Sequence, residues 1–217
     1  MNKSRLTVSE AKDMFVYVSQ QMVQSKDLLT QADKAIGDGD HGIGMARGFE
    51  AVQQKLAAQS YETIGDLLKS IGATLMTSIG GAAGAIFGTF FRGGAKNLSG
   101  ALLFDSASLS MMLRDGLEAV KDRGKAKPGD KTMVDALAPA SVKASELISA
   151  SLHEALRRVA EASKEGMEKT KEMIATLGKA KTLGERSLGH PDPGSLSTYL
   201  MLKFMFQFVG SCEDPCS

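Results

Sequence analysis

Residues 8–29 read VSEAKDMFVYVSQQMVQSKDLL. Val8, Ala11, Phe15, Val18, Met22 and Leu29 recur in this stretch at intervals of three, four or seven. Such positions share one face of a 3.6-residue helix, so the segment predicts a long amphipathic first helix. Thr7 or Ser9 can cap its start. Gly37 and Gly39 interrupt the pattern.

The same period continues along the chain. A second helix is expected from Gly42 to about Leu56, with Ile43, Phe49, Val52 and Leu56 turned inward, and a third from Thr63 to Ile79. A glycine-rich turn, Gly80-Gly81-Ala82-Ala83-Gly84, should separate the third helix from an apolar one over Ala85 to Asn97. Further helices are expected over Ser106 to Asp122, Asp130 to Ser149, Leu152 to Leu177 (closed by Gly178) and Ser195 to Val209. No alternating pattern long enough for a useful strand occurs. The expectation is therefore an all-α bundle of about eight helices.

The composition narrows the function classes. The 217 residues carry 26 Lys and Arg against 25 Asp and Glu. A balanced charge gives no electrostatic reason for a nucleic-acid or membrane surface. The chain lacks Trp and has few aromatics, which disfavours a stacking platform for single strands. No secretory signal is read at the start, and no run of about 18 apolar residues predicts a membrane span. The two cysteines, Cys212 and Cys216, sit in the last six residues, where they can bind a metal or pair under oxidation. Together these features point to a reducing cytoplasm.

The sharpest local feature is Asp33-x4-Asp38-Gly39-Asp40-His41-Gly42. Asp33 falls near the end of the first predicted helix, and Asp38 and Asp40 flank a glycine in the turn that follows. Three carboxylates this close repel one another unless positive charge sits among them. A hard cation such as Mg²⁺, with carboxylate and phosphate oxygens as ligands, supplies that charge. The free N–H groups of the helix that starts at Gly42 would face an anion, and His41 stands at the junction. An acidic turn with Asp40 as N-cap fits the same residues. The string is neither an EF-hand loop nor a P-loop, because the later Ca²⁺ ligands and the G-x-x-x-x-G-K-[ST] pattern are missing.

Three other segments lie at predicted helix ends. Gly80 to Gly84 lets backbone approach a ligand or a neighbouring helix closely. Arg123-Gly124-Lys125-Ala126-Lys127-Pro128-Gly129-Asp130-Lys131-Thr132-Met133 is a basic turn that could meet phosphates, with Met133 available to an adenine ring. Gly184-Glu185-Arg186-Ser187-Leu188-Gly189-His190-Pro191-Asp192-Pro193-Gly194 is a polar, stiff loop of the functional kind. Alternate helix ends of a bundle meet at one rim, where a nucleotide would contact all four segments.

In this order the four segments resemble the ADP-binding L subunit of bacterial, phosphotransferase-system-dependent dihydroxyacetone kinases. The matching stretches are Gly37 to Gly42 with Met45-Ala46-Arg47-Gly48-Phe49, and Gly80-Gly81-Ala82 with Phe87-Gly88-Thr89-Phe90-Phe91. The remainder are Arg123-Gly124-Lys125 with Pro128 to Met133, Gly184 to Ser187, Gly189-His190 and Asp192-Pro193-Gly194. The resemblance covers essentially the whole chain. It implies a nucleotide-binding domain over residues 1–210 with a 211–217 tail, built as a closed barrel of eight amphipathic helices with the nucleotide at one end. It implies two Mg²⁺ ions on Asp33, Asp38 and Asp40 that bridge the phosphates of ADP or ATP. His41, Gly42, Ile43 and Gly44 would lie along those phosphates together with Gly80, Gly81, Ala82 and Ala83. Gly124, Met133, Arg186, Asp192, Pro193 and Gly194 would surround the nucleoside.

The resemblance also implies partners. The ketose sits on a separate K subunit, and a phosphohistidine carrier fed from phosphoenolpyruvate rephosphorylates ADP in place. In some members the L subunit contacts a transcription regulator. The oligomeric state is left open, a homodimer included. Two departures stand out: the family commonly has serine where Ala83 stands and often asparagine where Gly44 stands. They bear on phosphate affinity, on the phosphoryl donor and on the ketose, for which erythrulose is an alternative to dihydroxyacetone. A nucleotide-sensing module without catalysis is the competing reading. The related domain of fatty-acid kinases is disfavoured, because threonine usually stands there at the position of His41. A bundle without a ligand would leave the three aspartates unexplained.

Overall fold

The computed structural model describes residues 3–211, so Cys212 and Cys216 lie outside the described residues. The chain folds into nine α-helices within those residues, joined to two three-residue strands. They are α1 (Val8–Gln24), α2 (Lys26–Ile36), α3 (His41–Ala57), α4 (Ile64–Ser78), α5 (Gly81–Gly94), α6 (Ser106–Gly124), α7 (Met133–Glu146), α8 (Leu152–Lys169) and α9 (Pro193–Ser211). No helix among the described residues is long and apolar enough to cross a membrane.

Eight of these helices close a ring. Contacts run from α1 to α3, on through α4, α5, α6, α7, α8 and α9, and from α9 back to α1. α2 stands outside the ring and packs mainly on α3. The centre is apolar: the Phe15 ring meets Phe91 edge-on at 5.9 Å and Phe104 at 6.3 Å between centroids. Burial of this continuous core is the main favourable term that holds the ring shut.

The two ends of the barrel differ. At one end the starts of α1, α4, α6 and α8 are tied together. β1 (Arg5–Thr7) precedes α1 and pairs antiparallel with β2 (Leu103–Asp105), which precedes α6, with Leu6 opposite Phe104. Leu152 N–H donates to Ser4 O at 3.3 Å, and Ile64 N–H donates to Ala101 O at 2.9 Å. The starts of α3, α5, α7 and α9 are therefore left at the opposite end. The strands escape detection in the sequence because three residues carry too little alternation.

The predicted helices differ from the observed ones in three instructive places. The single first helix is two, broken at Ser25, whose Oγ donates back to Gln21 O at 2.8 Å. A serine that returns to its own helix in this way bends it, and here the chain restarts as α2. The Gly80–Gly84 turn is mostly helix: Gly84 N–H donates to Gly80 O at 3.0 Å, so Gly81 to Gly84 form the first turn of α5. The helix predicted to reach Leu177 stops at Lys169, a 3-10 turn follows at Thr170–Glu172, and Gly178 instead precedes a 3-10 segment, Lys179–Ser187. The Thr170 and Met173 carbonyls that would continue α8 turn instead to the ammonium of Lys131.

Thr7 caps α1 with a capping box, in which Glu10 N–H reaches Thr7 Oγ1 and Thr7 N–H reaches Glu10 Oε2. Thr132 and Asp135 form the same device at α7, which starts at Met133 rather than at Asp130.

Candidate functional site

The four helix starts left at one end surround a cavity of about 520 Å³. His41 of α3, Gly81 of α5, Met133 of α7 and Pro193 of α9 each open their helix and each line this cavity. The first N–H groups of a helix lack intrahelical partners, and the aligned peptide dipoles leave partial positive charge there. Four such dipoles converge on one space and favour an anion there; Asp33, Asp135 and Asp192 cap α3, α7 and α9, which leaves α5, with no capping side chain, the most open end.

The acidic counterpart stands at the rim. Asp33, Asp38 and Asp40 each present a carboxylate oxygen, and the three oxygens lie within 4.8 Å of one another. Asp33 comes from the last turns of α2 and is only 8% exposed. Its Oδ2 accepts from His41 N–H at 3.1 Å, so Asp33 caps α3 from another helix. Asp40 holds the N-cap position but makes no side-chain cap bond, which corrects its reading as a simple acidic cap. Gly37 permits this closeness, because a Cβ there would lie 2.2 Å from Asp33 Oδ1.

Lys179, which the sequence reading did not single out, completes the cluster. Its Nζ bonds Asp38 and lies 3.0 Å from Asp40 Oδ2. The bond from Lys179 holds the Asp38 carboxyl below its usual range, against a smaller opposing effect of desolvation. The same two aspartates raise Lys179, Asp38 most. An ammonium thus stands beside two of the three carboxylates, where a hard cation with oxygen ligands would fit. Donor set and stand-in charge together suit Mg²⁺.

His41 is drawn into the protein. Its Nε2 lies 2.8 Å from Ser197 Oγ, and its ring sits 6.2 Å from that of Phe87. Burial pushes the imidazole below its usual range, while Asp33 and then Asp40 pull it back up. Arg47, which the sequence reading quoted without a role, lines the cavity and ties α3 to the end of α4. Its Nε donates to Ser78 O at 2.7 Å and its Nη2 to Ile79 O, immediately before Gly80.

Of the residues picked from sequence, Asp33, Asp40, His41, Ile43, Gly44, Gly80, Gly81, Ala82, Ala83, Met133, Asp192, Pro193 and Gly194 line the cavity. Asp38 joins them through the carboxylate cluster. Gly42 is buried against α2, facing Lys26 and Thr30. Gly124 stands behind Ile86, the residue that forms the wall there. Arg186 is exposed on the 3-10 segment and outside the cavity lining. Lys131 of the basic turn borders the cavity, but its ammonium is turned away from it. That side chain is 2% exposed and bonded to four backbone carbonyls. Phe87, Leu177 and Ala180 complete the apolar wall.

Asp192 caps α9, its Oδ2 accepting from Ser195 N–H at 2.7 Å. Burial dominates its titration and pushes the carboxyl up to about 7, against the Ser195 bond and Lys131, with Asp135 adding to the rise.

A model of the DAK2 domain family matches residues 35–207. The chain is 41% identical over 181 residues to the ADP-binding subunit DhaL of the PEP-dependent dihydroxyacetone kinase of Escherichia coli. That match covers 82% of this chain and 86% of that one. It is 38% identical over 185 residues to the ADP-binding subunit DhaL of PEP-dependent dihydroxyacetone kinase 1 of Listeria innocua, covering 85% and 88%. The dihydroxyacetone kinase of C. freundii, solved in complex with AMP-PNP and Mg²⁺, superposes with a TM-score of 0.72 at 24% identity, over 94% of this chain and 35% of that one. The last similarity shows a shared fold.

Proposed function

The chain belongs to the DAK2 domain family, and from that membership we propose that it is the ADP-binding subunit of a dihydroxyacetone kinase. The observation that carries this reading is the meeting of four helix N-termini and three carboxylates around one cavity. The α9 helix runs to Ser211, so in this reading the nucleotide-binding domain includes that residue, one beyond the boundary expected from sequence.

In this reading Asp33, Asp38 and Asp40 hold Mg²⁺, two ions in all. When bound, Mg²⁺ supplies positive charge that offsets and orients the phosphate oxygens of ADP or ATP. The chain's own part is to place the phosphates. The starts of α3 and α5, over His41–Gly44 and Gly80–Ala83, lie along them; His41 N–H is held by Asp33 and Gly44 N–H by Asp40 O, so the donors come from the remaining N–H groups. Met133 and the Asp192-Pro193-Gly194 turn flank the nucleoside. Phosphoryl transfer needs positioning and charge neutralisation more than a covalent group from this chain. The ketose comes on a separate K subunit, and a phosphohistidine carrier restores ATP from bound ADP.

Titration calorimetry with ADP, with and without Mg²⁺, tests the site. Asp38→Ala and Asp40→Ala should each abolish the Mg²⁺-dependent binding, and wild-type affinity in both would show the metal assignment to be wrong. Mixing the chain with a K subunit and dihydroxyacetone, plus either a phosphocarrier or ATP, tests the reaction. Absence of sugar phosphate from every mixture would favour a nucleotide-sensing module. ADP retained through purification, read by gentle mass spectrometry, supports the bound-cofactor mode.

A further inference from the structure

The α6–α7 loop contains a buried cation that the proposed chemistry does not use. Lys131 is 2% exposed, and its backbone takes the left-handed conformation at φ 60°. That conformation costs a residue with a Cβ roughly 1–2 kcal/mol, so the fold holds it there for a reason. Its Nζ donates to Ser187 O at 2.6 Å, Thr170 O and His190 O at 2.7 Å, and Met173 O at 3.1 Å. An ammonium has three hydrogens, and four carbonyl oxygens surround this one. The arrangement is a carbonyl cage of the kind that suits a small monovalent cation, with the lysine as its tethered occupant.

The cage draws its oxygens from the whole connection between α8 and α9. Apart from 3-10 turns, the segment 170–192 has little regular structure of its own. It nevertheless supplies Leu177, Gly178, Lys179, Ala180 and Asp192 to the cavity. Other bonds support the same arrangement. Asp192 N–H donates to Thr170 Oγ1 at 2.9 Å, and Ser195 Oγ donates to Thr132 O at 2.6 Å. The loop that carries Lys131 is itself fixed, since Gly129 N–H and Thr132 N–H both donate to the Asp135 carboxylate. Burial pulls the Lys131 ammonium below its usual range, and the nearby Asp192 opposes this without reversing it.

We propose that Lys131 is a positioning residue. Its ammonium fills a four-carbonyl cage, fixes the 170–192 segment as the nucleoside-side wall, and can be replaced by a free small cation when the side chain is cut back. The proposal rests on the nucleotide reading of the cavity. A wall ordered before the ligand arrives spares the complex the entropy of ordering it, and displacement of such a wall weakens binding steeply.

The test is Lys131→Ala, studied with K⁺ and methylammonium as probes and tetramethylammonium as the oversized control. Without nucleotide, K⁺ or methylammonium should raise the Tm of the variant and leave the wild type unmoved, while tetramethylammonium does neither. With Mg²⁺, ADP affinity of the variant should fall ~10-fold or more and recover on adding the small cation, a recovery that tetramethylammonium does not give. Unchanged ADP affinity, or a Tm insensitive to every cation, would overturn the proposal. A wild type that fails to bind Mg²⁺-ADP would instead sink the nucleotide reading, with the cage still judged by the Tm series. If Lys131→Ala does not fold, Lys131→Gln is examined by hydrogen exchange. Faster exchange over 171–191, with α3 to α5 still protected, supports the cage, and unchanged exchange refutes it.

Discussion

Lys179 places its ammonium 3.0 Å from Asp40 Oδ2 while also bonding Asp38, so a side chain from the segment between α8 and α9 reaches across to the turn before α3. This ammonium and a divalent cation need the same carboxylates. Lys179→Met should therefore strengthen Mn²⁺ binding several-fold in the absence of nucleotide, read by the free Mn²⁺ resonance signal. The side chains are half-exposed, so added salt should narrow the difference between the two proteins. Equal Mn²⁺ affinities would mean that the lysine does not compete.

Asp33 serves two purposes that a pair of substitutions can separate. As a metal candidate it needs its charge, but as the cap of α3 it needs only an acceptor for His41 N–H. Asp33→Ala should cost about 1 kcal/mol, or roughly 2–4 °C in Tm for a chain of this size, whereas Asp33→Asn should hold Tm close to wild type. Both variants should lose Mn²⁺ affinity. Asp33→Ala with a wild-type Tm would remove the capping role.

The helices and the place of the cavity were legible in the sequence because both depend on local signals. Helical periodicity marks the ring, and the glycine-rich breaks mark the helix starts that meet at one end. What escaped depends on distant partners. Lys131 meets carbonyls 39 to 59 residues away, and Lys179 meets aspartates 139 and 141 residues away. Nothing in a basic turn says that one of its lysines points inward, so the whole turn reads as one that could meet phosphates. The α8 apolar stripe ran on in sequence to Leu177, although Lys131 draws the chain out of the helix near Thr170. The break at Ser25 was missed for a subtler reason: Leu29 is buried on either reading, so periodicity does not register the restart.

Gly42 tests how closely α2 and α3 must approach. A Cβ on it would lie 2.3 Å from both Lys26 O and Thr30 Oγ1, and 2.5 Å from Thr30 N. Two of these atoms are helix backbone and cannot rotate away, so Gly42→Ala must push α2 off α3. Overpacking of this kind costs about 1–3 kcal/mol, and it separates Asp33 from Asp40 as well. The variant should lose stability and Mn²⁺ affinity together in denaturant melts and titrations. Gly44→Ala is the internal control, since its Cβ would meet Ile79 O at 3.2 Å, which a small shift relieves. If the two variants behaved alike, the α2–α3 contact would not be the cause.

Asp192 predicts a pH dependence whose sign follows from its burial. Its carboxyl titrates near 7 in the fold against an ordinary value of 3.8, because desolvation outweighs the bond from Ser195 N–H and the nearby Lys131 ammonium. Between those values the folded chain keeps a proton that the unfolded chain has released. The group's contribution to stability is thus full below about 3.8, declines as pH rises, and is gone once pH passes about 7. The Asp38 and Asp130 carboxyls, both held low, act in the opposite sense at more acidic pH, so the wild-type profile alone is ambiguous. Asp192→Asn keeps an acceptor for Ser195 N–H and removes the titration. Subtracting its Tm profile from that of the wild type should leave a curve that falls from pH 5 to about 7 and is flat above. A flat difference across that window would show that Asp192 stays ionised in the fold, with the Ser195 bond and Lys131 outweighing its burial.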